Sequence, residues 1–146
     1  MHGLSLRPLT AASLLGALFL GPLPAHAELP PWAYGDQQRQ APVVVQLVVL
    51  SAARQGEEAL VRGRVLRVER QPAAGSLKRG QTIEVRYSLP PQRAPGFVGP
   101  SPLRLPGVGE QLSAWLTPLP GRGGSFAPAA GGRSFGPSME EVHEPR

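Results

Sequence analysis

The chain has 146 residues, with 15 Lys and Arg against 10 Asp and Glu, three His and no Cys. That length suits one domain, and the absent cysteines exclude a disulfide framework and a thiolate metal centre. The 18 Gly and 18 Pro approach the composition of disordered chains, but they concentrate in 29–31, 90–109 and 118–137 and leave the stretches between them free to fold.

Residues 1–27 read as a secretory signal peptide. Arg7 supplies the positive start, 9–20 is an apolar run, and Ala25-His26-Ala27 is an A-x-A cleavage site. The run is shorter than the roughly 20 apolar residues a bilayer-spanning helix needs, although an uncleaved anchor is the competing reading. No Cys follows for lipidation. The expectation is an exported protein, periplasmic or extracellular, with no transmembrane span after cleavage. Removing Arg7 takes the formal charge from +5 to +4 and leaves His143 as the sole mature histidine.

Residues 28–42 (ELPPWAYGDQQRQAP) read as an extended arm, since Pro30, Pro31 and Pro42 oppose a continuous helix. Trp32 and Tyr34 either dock this arm on the domain, the favoured reading, or face a partner. Residues 43–50 (VVVQLVVL) form a short, β-branched apolar run, which predicts a buried strand. The polar stretch 51–59, with Gly56 at its centre, predicts a hairpin loop.

The most structured-looking segment is 60–89, LVRGRVLRVERQPAAGSLKRGQTIEVRYSL. In its second half Ile83, Val85, Tyr87 and Leu89 alternate with Thr82, Glu84, Arg86 and Ser88, the period-2 pattern of a half-buried strand. In its first half Val61, Gly63 and Val65 share a face, after which Leu66 and Val68 are apolar and the phase slips by one residue. A β-bulge would absorb the slip, and Gly63 would let the strand coil as a small barrel requires. Two shorter strands, or an exposed Val65, are the other readings. Between the two strands, 71–81 is irregular, with a short helical turn possible at 76–79.

The Pro/Gly stretch 90–109 is a long loop in which Phe97, Val98, Leu103, Leu105 and Val108 point to partial packing. Residues 111–117 form the next strand, with Leu112, Ala114 and Leu116 on one face and Ser113, Trp115 and Thr117 on the other. A weak strand near Phe126 is expected at a sheet edge, where Pro128 would be tolerated. Residues 138–146 are a charged tail. The fold class is therefore all-β: a five-stranded OB-like Greek-key barrel over 43–137, or alternatively a small β-sandwich.

The succession LVRGRVLRVER, LKRGQTIEVRYSL and PGVGEQLSAWL resembles the core of netrin-like (TIMP-like) OB domains. That family shows a V-x-G-x-V-x-x-V strand, then G-x-x-x-x-V, then a G-x-x-Y-L-x-x-L-type strand. The match spans Leu60 to Leu116. The family's cysteines are absent, and its last aromatic is displaced to Trp115. The resemblance implies the OB fold and not protease inhibition.

Chemistry is sparse. Gly132-Arg133-Ser134-Phe135-Gly136 fits G-x-S-x-G, but a nucleophile elbow needs a strand before it and a helix after it. Pro128 precedes this one, Gly136-Pro137 follows, and the only base, His143, sits in the tail. A serine hydrolase is thus the least supported reading, and no enzyme, cofactor or metal is expected. Glu57-Glu58 and Glu140-Glu141 lack ligand spacing.

The basic residues offer more. Arg62, Arg64 and Arg86 share an outer face if the two main strands pair, and they are the candidate ligand-binding residues. Such a stripe attracts anionic polysaccharide, lipid or an acidic envelope protein. Nucleic acid is disfavoured by the predicted export and because Tyr87 points inward, away from any stacking platform. The plainer and commoner case is a solvated face carrying Arg against edge pairing. The expected function is an exported, non-enzymatic β-domain that binds a protein or an anionic envelope polymer. The alternative is an accessory subunit of an envelope assembly.

Overall fold

The computed structural model describes residues 29–89 and 103–139. The expected signal peptide over 1–27, the 90–102 part of the Pro/Gly loop with Phe97 and Val98, and the tail from Glu140 with His143 lie outside the described residues. The elements are α1 (Pro31–Gln40), β1 (Val43–Gln55), β2 (Glu58–Arg70), β3 (Thr82–Ser88), β4 (Gln111–Pro118), β5 (Ser125–Pro128) and β6 (Phe135–Gly136), with a 3-10 turn at Gly131–Arg133.

Strand order is β1-β2-β3-β5-β4, and β4 pairs back onto β1 to close five strands into a barrel. All these pairings are antiparallel except the parallel β3–β5 pair. This is an OB-like Greek-key barrel and not a sandwich. The alternation read at 82–88 is observed: Ile83, Val85 and Tyr87 are buried, and Thr82, Arg86 and Ser88 are exposed.

The phase slip in β2 is a bulge. Gln46 faces Arg67 and Leu47 faces Val65, so Leu66 has no partner on β1. Two further register shifts, at Val44/Val45 and Val49/Ser51, bend the 13-residue β1 so that it pairs with β2 along its length and with β4 over 43–48. Gly63 is needed for closeness: a Cβ there would stand 2.9 Å from Leu47 Cδ1.

β5 is not the edge strand that Pro128 implied. It lies between β3 and β4, and Pro128 is accommodated because it ends the strand. β5 reaches only the lower part of the seam between β3 and β4. Higher up β6 pairs with β4, and Phe135 packs its ring against Tyr87 with centroids 5.9 Å apart. The G-x-S-x-G segment therefore packs along the seam between β3 and β4. Ser134 is fully buried, its Oγ accepting from Ala130 N at 2.9 Å and donating to Gly131 O at 2.8 Å.

The extended arm is also corrected: residues 31–40 are an α-helix. Pro30 is the N-cap and Pro31 opens the first turn, where a missing N–H costs nothing, and Pro42 lies past the end. The prolines bound this helix without interrupting it. Arg70 Nη1 caps the other end, donating to the carbonyls of Gln38, Arg39 and Ala41 at 3.1, 2.9 and 2.9 Å. Tyr34 is buried and Trp32 half-buried, so the segment docks. Gln38 ties it to the C-terminal segment, donating to Arg133 O and accepting from Met139 N.

Three loop expectations change as well. β1 runs through to Gln55, and the hairpin turn is only Gly56-Glu57, with Gly56 at φ 59°. No helical turn forms at 76–79; Gln71 instead holds the loop by bonding both the N–H and the carbonyl of Leu77. Leu103 packs on the core, but Leu105 and Val108 are exposed.

Candidate functional site

The β2–β3 register sets the outer face. Arg62 lies opposite Glu84, Leu60 opposite Arg86 and Arg64 opposite Thr82. Strand alternation turns Val61, Gly63, Ile83 and Val85 into the barrel, so Arg62, Arg64 and Arg86 all face outward and are exposed. The structure thus brings the three candidate residues onto one surface.

Glu84 organises two of them. Arg62 donates to Oε1 through Nε at 3.1 Å and Nη2 at 3.0 Å, and Arg86 donates to Oε2 through Nη2 at 3.1 Å. The hydrogen bond from Arg86 holds the Glu84 carboxyl below its ordinary 4.5; desolvation opposes it, and the hydrogen bond and charge of Arg62 add to the lowering. Each guanidinium keeps further N–H groups for a ligand. Arg64 has no ion pair among the described residues. The cluster of Arg62, Arg64, Arg86 and Glu84 carries a net charge of +2 (3 − 1), and Glu58, opposite Ser88, adds a second carboxylate at the far end of the face.

Arg67 extends the stripe, which the residue pattern alone did not assign. The unpartnered Leu66 shifts the phase, so Arg62, Arg64 and Arg67 are all exposed along β2. The predicted slip was the available signal. The 119–124 loop meets this wall through its backbone, the Glu84 N–H donating to Gly124 O at 2.9 Å. Only the parallel β3–β5 pairing reveals that neighbour.

The rim above is held by a polar clamp. Glu110 accepts from Arg104 at 3.0 and 2.5 Å and from Gly107 N at 3.0 Å, and these bonds, Arg104 first, lower its pKa. Tyr87 Oη donates to Arg104 O at 2.9 Å, and burial pushes the phenol up to about 12.

Among the described residues no three His, Asp or Glu converge to hold a metal ion. No described helix is long and apolar enough to cross a membrane. No protein-family model matches the chain, and no curated protein matches it.

Proposed function

We propose that this protein is an exported, non-enzymatic binding module whose β2–β3 face, through Arg62, Arg64 and Arg86, takes an anionic polymer of the cell envelope. The observation that carries the reading is the coincidence of place and charge. OB barrels bind oligomeric ligands on the outer face of strands 2 and 3 and on the loops beside it. Here that face bears three exposed arginines around one carboxylate.

The make-up of the face narrows the ligand. Leu60, Arg62, Arg64, Thr82, Glu84 and Arg86 include no aromatic, so bases would find nothing to stack on. Fixed guanidiniums favour carboxylate, sulfate or phosphate groups borne on a flexible chain. The buried, doubly bonded Ser134 Oγ supports binding over hydrolysis.

Binding of the purified protein to an acidic polysaccharide should weaken steeply with salt and be lost in R62A/R64A/R86A. Wild-type affinity in that folded triple variant would refute the reading.

A further inference from the structure

A second feature lies at one end of the barrel, apart from the arginine face. A cleft of about 410 Å³ opens between the loop 71–81, which joins β2 to β3, and the loop 119–124, which joins β4 to β5. Its volume falls in the ordinary range of small-molecule sites. Its floor is continuous with the core: Val43 and Phe126 belong to the buried cluster, and Leu77 packs against it.

One cation lines the rim. Arg122 lines the cleft, and Lys78 and Arg79 are exposed on the facing loop. The two loops, 71–81 and 119–124, contain no Asp or Glu, although Glu69 and Glu84 stand in the strands that flank the first. Beside Arg122 the cleft is lined by Ser125, a hydroxyl donor that is only 8 % exposed.

Both walls are already tied in place. On one side Gln71 bonds both backbone groups of Leu77, at 3.2 and 3.0 Å, while Gly80 N–H donates to Val65 O and Val65 N–H to Gln81 O. On the other, Ser125 N–H donates to Arg122 O and Leu119 N–H to Ser125 O. A ligand therefore meets a formed site with little ordering left to do. A peptide strand is poorly served here, because β5 is paired on both sides and offers no free ladder.

We propose that this cleft binds a single-chain anionic amphiphile, with its alkyl chain over Val43, Leu77 and Phe126 and its carboxylate or phosphate head at Arg122 and Ser125. Oily floor and positive rim together select this class. A neutral oil would leave the cation unanswered, and a short anion would leave the floor wet.

The test is calorimetric titration of the purified protein with dodecanoate, dodecyl phosphate, dodecyltrimethylammonium and butyrate, each kept below its micelle concentration. Saturable one-to-one binding of a dodecyl anion is expected, with the cation and butyrate at least tenfold weaker. The tighter of the two anionic heads identifies the natural head group. R122E should weaken binding at least tenfold. G123L should also weaken it, since a Cβ at Gly123 meets no atom within 4 Å and the added side chain would occupy cleft space without disturbing the fold. R62A/R64A/R86A should bind the amphiphile normally, so failure of the arginine-face reading and failure of this one are distinguishable. Absence of saturable dodecyl-anion binding, equal affinity for the cation, or loss in the triple variant with retention in R122E would each overturn the proposal.

Discussion

The outside of the barrel has two unlike sides, although the inside is apolar throughout. Where β1 and β4 are covered by Ala41, just past the helix, and by Ala129 and Ala130, the outward residues are Val44 and Trp115, both buried. Where β2 and β3 meet solvent, the outward residues are Arg62, Arg64, Thr82 and Arg86. Strand alternation is the same on both sides. The difference lies in whether a later or earlier part of the chain returns to cover the sheet, and the uncovered side is where a ligand has room.

The covered side should be the more costly to damage. Trp115 is 5 % exposed, and its backbone holds the returning segment through bonds from Ala129 N and to Ser134 O. Trp115→Ala should cost about 3–5 kcal/mol. Denaturant unfolding checks the value, and hydrogen exchange should show the amides of α1 opening first. A smaller loss than that of the triple arginine variant would invert the comparison.

On the bare side the vulnerable point faces inward. Gly63→Ala would place a Cβ 2.9 Å from Leu47 Cδ1 inside a filled barrel, at about 1–3 kcal/mol. Leu47→Ala added to it should cost less than the sum of the two single changes, because the smaller side chain makes the room. A double-mutant cycle in urea measures this, and strict additivity would mean that the glycine serves the backbone and not the contact.

These two positions show what the sequence makes legible. Ile83, Val85 and Tyr87 could be placed inside from alternation and Leu47 from an unbroken apolar run, whereas the broken phase at Val65 and Leu66 signalled a bulge without deciding it against two shorter strands or an exposed Val65. Trp115 could be put on the opposite face from Leu112, Ala114 and Leu116, but not under its cover, since Ala129 and Ala130 are small and aperiodic. The helix was hidden because Pro30, Pro31 and Pro42 look like breakers until their places at its ends are known. β5 was legible as a weak strand near Phe126, but its position between β3 and β4 was not, because that pairing is a long-range fact. For the candidate site, Arg62, Arg64 and Arg86 followed from strand phase. The carboxylate that binds two of them, and the cleft at the barrel end, depend on register and loop geometry.

The seam between the two sides offers a smaller, pH-dependent test. Tyr87→Phe keeps the ring contact with Phe135 and removes the bond to Arg104 O, which should cost about 0.5–1.5 kcal/mol near neutrality. Because the folded phenol is pushed from 10.0 up to about 12, the folded state retains its proton where the unfolded chain releases it. The stabilisation is complete below pH 10 and is lost as the pH rises towards 12. Wild-type stability should therefore fall through that window, and the fall should be shallower in the Phe variant. Parallel profiles would place the alkaline transition elsewhere.

The smallest stability effect is expected on the arginine face itself. The Arg62–Glu84–Arg86 bridge is solvated, and exposed ion pairs contribute little to folding. Glu84→Gln should leave the denaturation midpoint unchanged while removing the one negative charge among the three arginines. Two opposing effects on binding follow. The net charge of the cluster formed by residues 62, 64, 84 and 86 rises from +2 to +3, which speeds encounter with a polyanion and makes it more sensitive to salt. At the same time Arg62 and Arg86 lose the carboxylate that fixes them, so each must be ordered by the ligand. If preorganisation matters, Glu84→Gln will bind faster at low salt yet dissociate faster too, and will discriminate less between differently spaced anionic polymers. Surface plasmon resonance on two such polymers separates the rates. A variant that gains affinity for both equally, with dissociation unchanged, would show that Glu84 only dilutes the charge and that the face acts as a diffuse cationic surface.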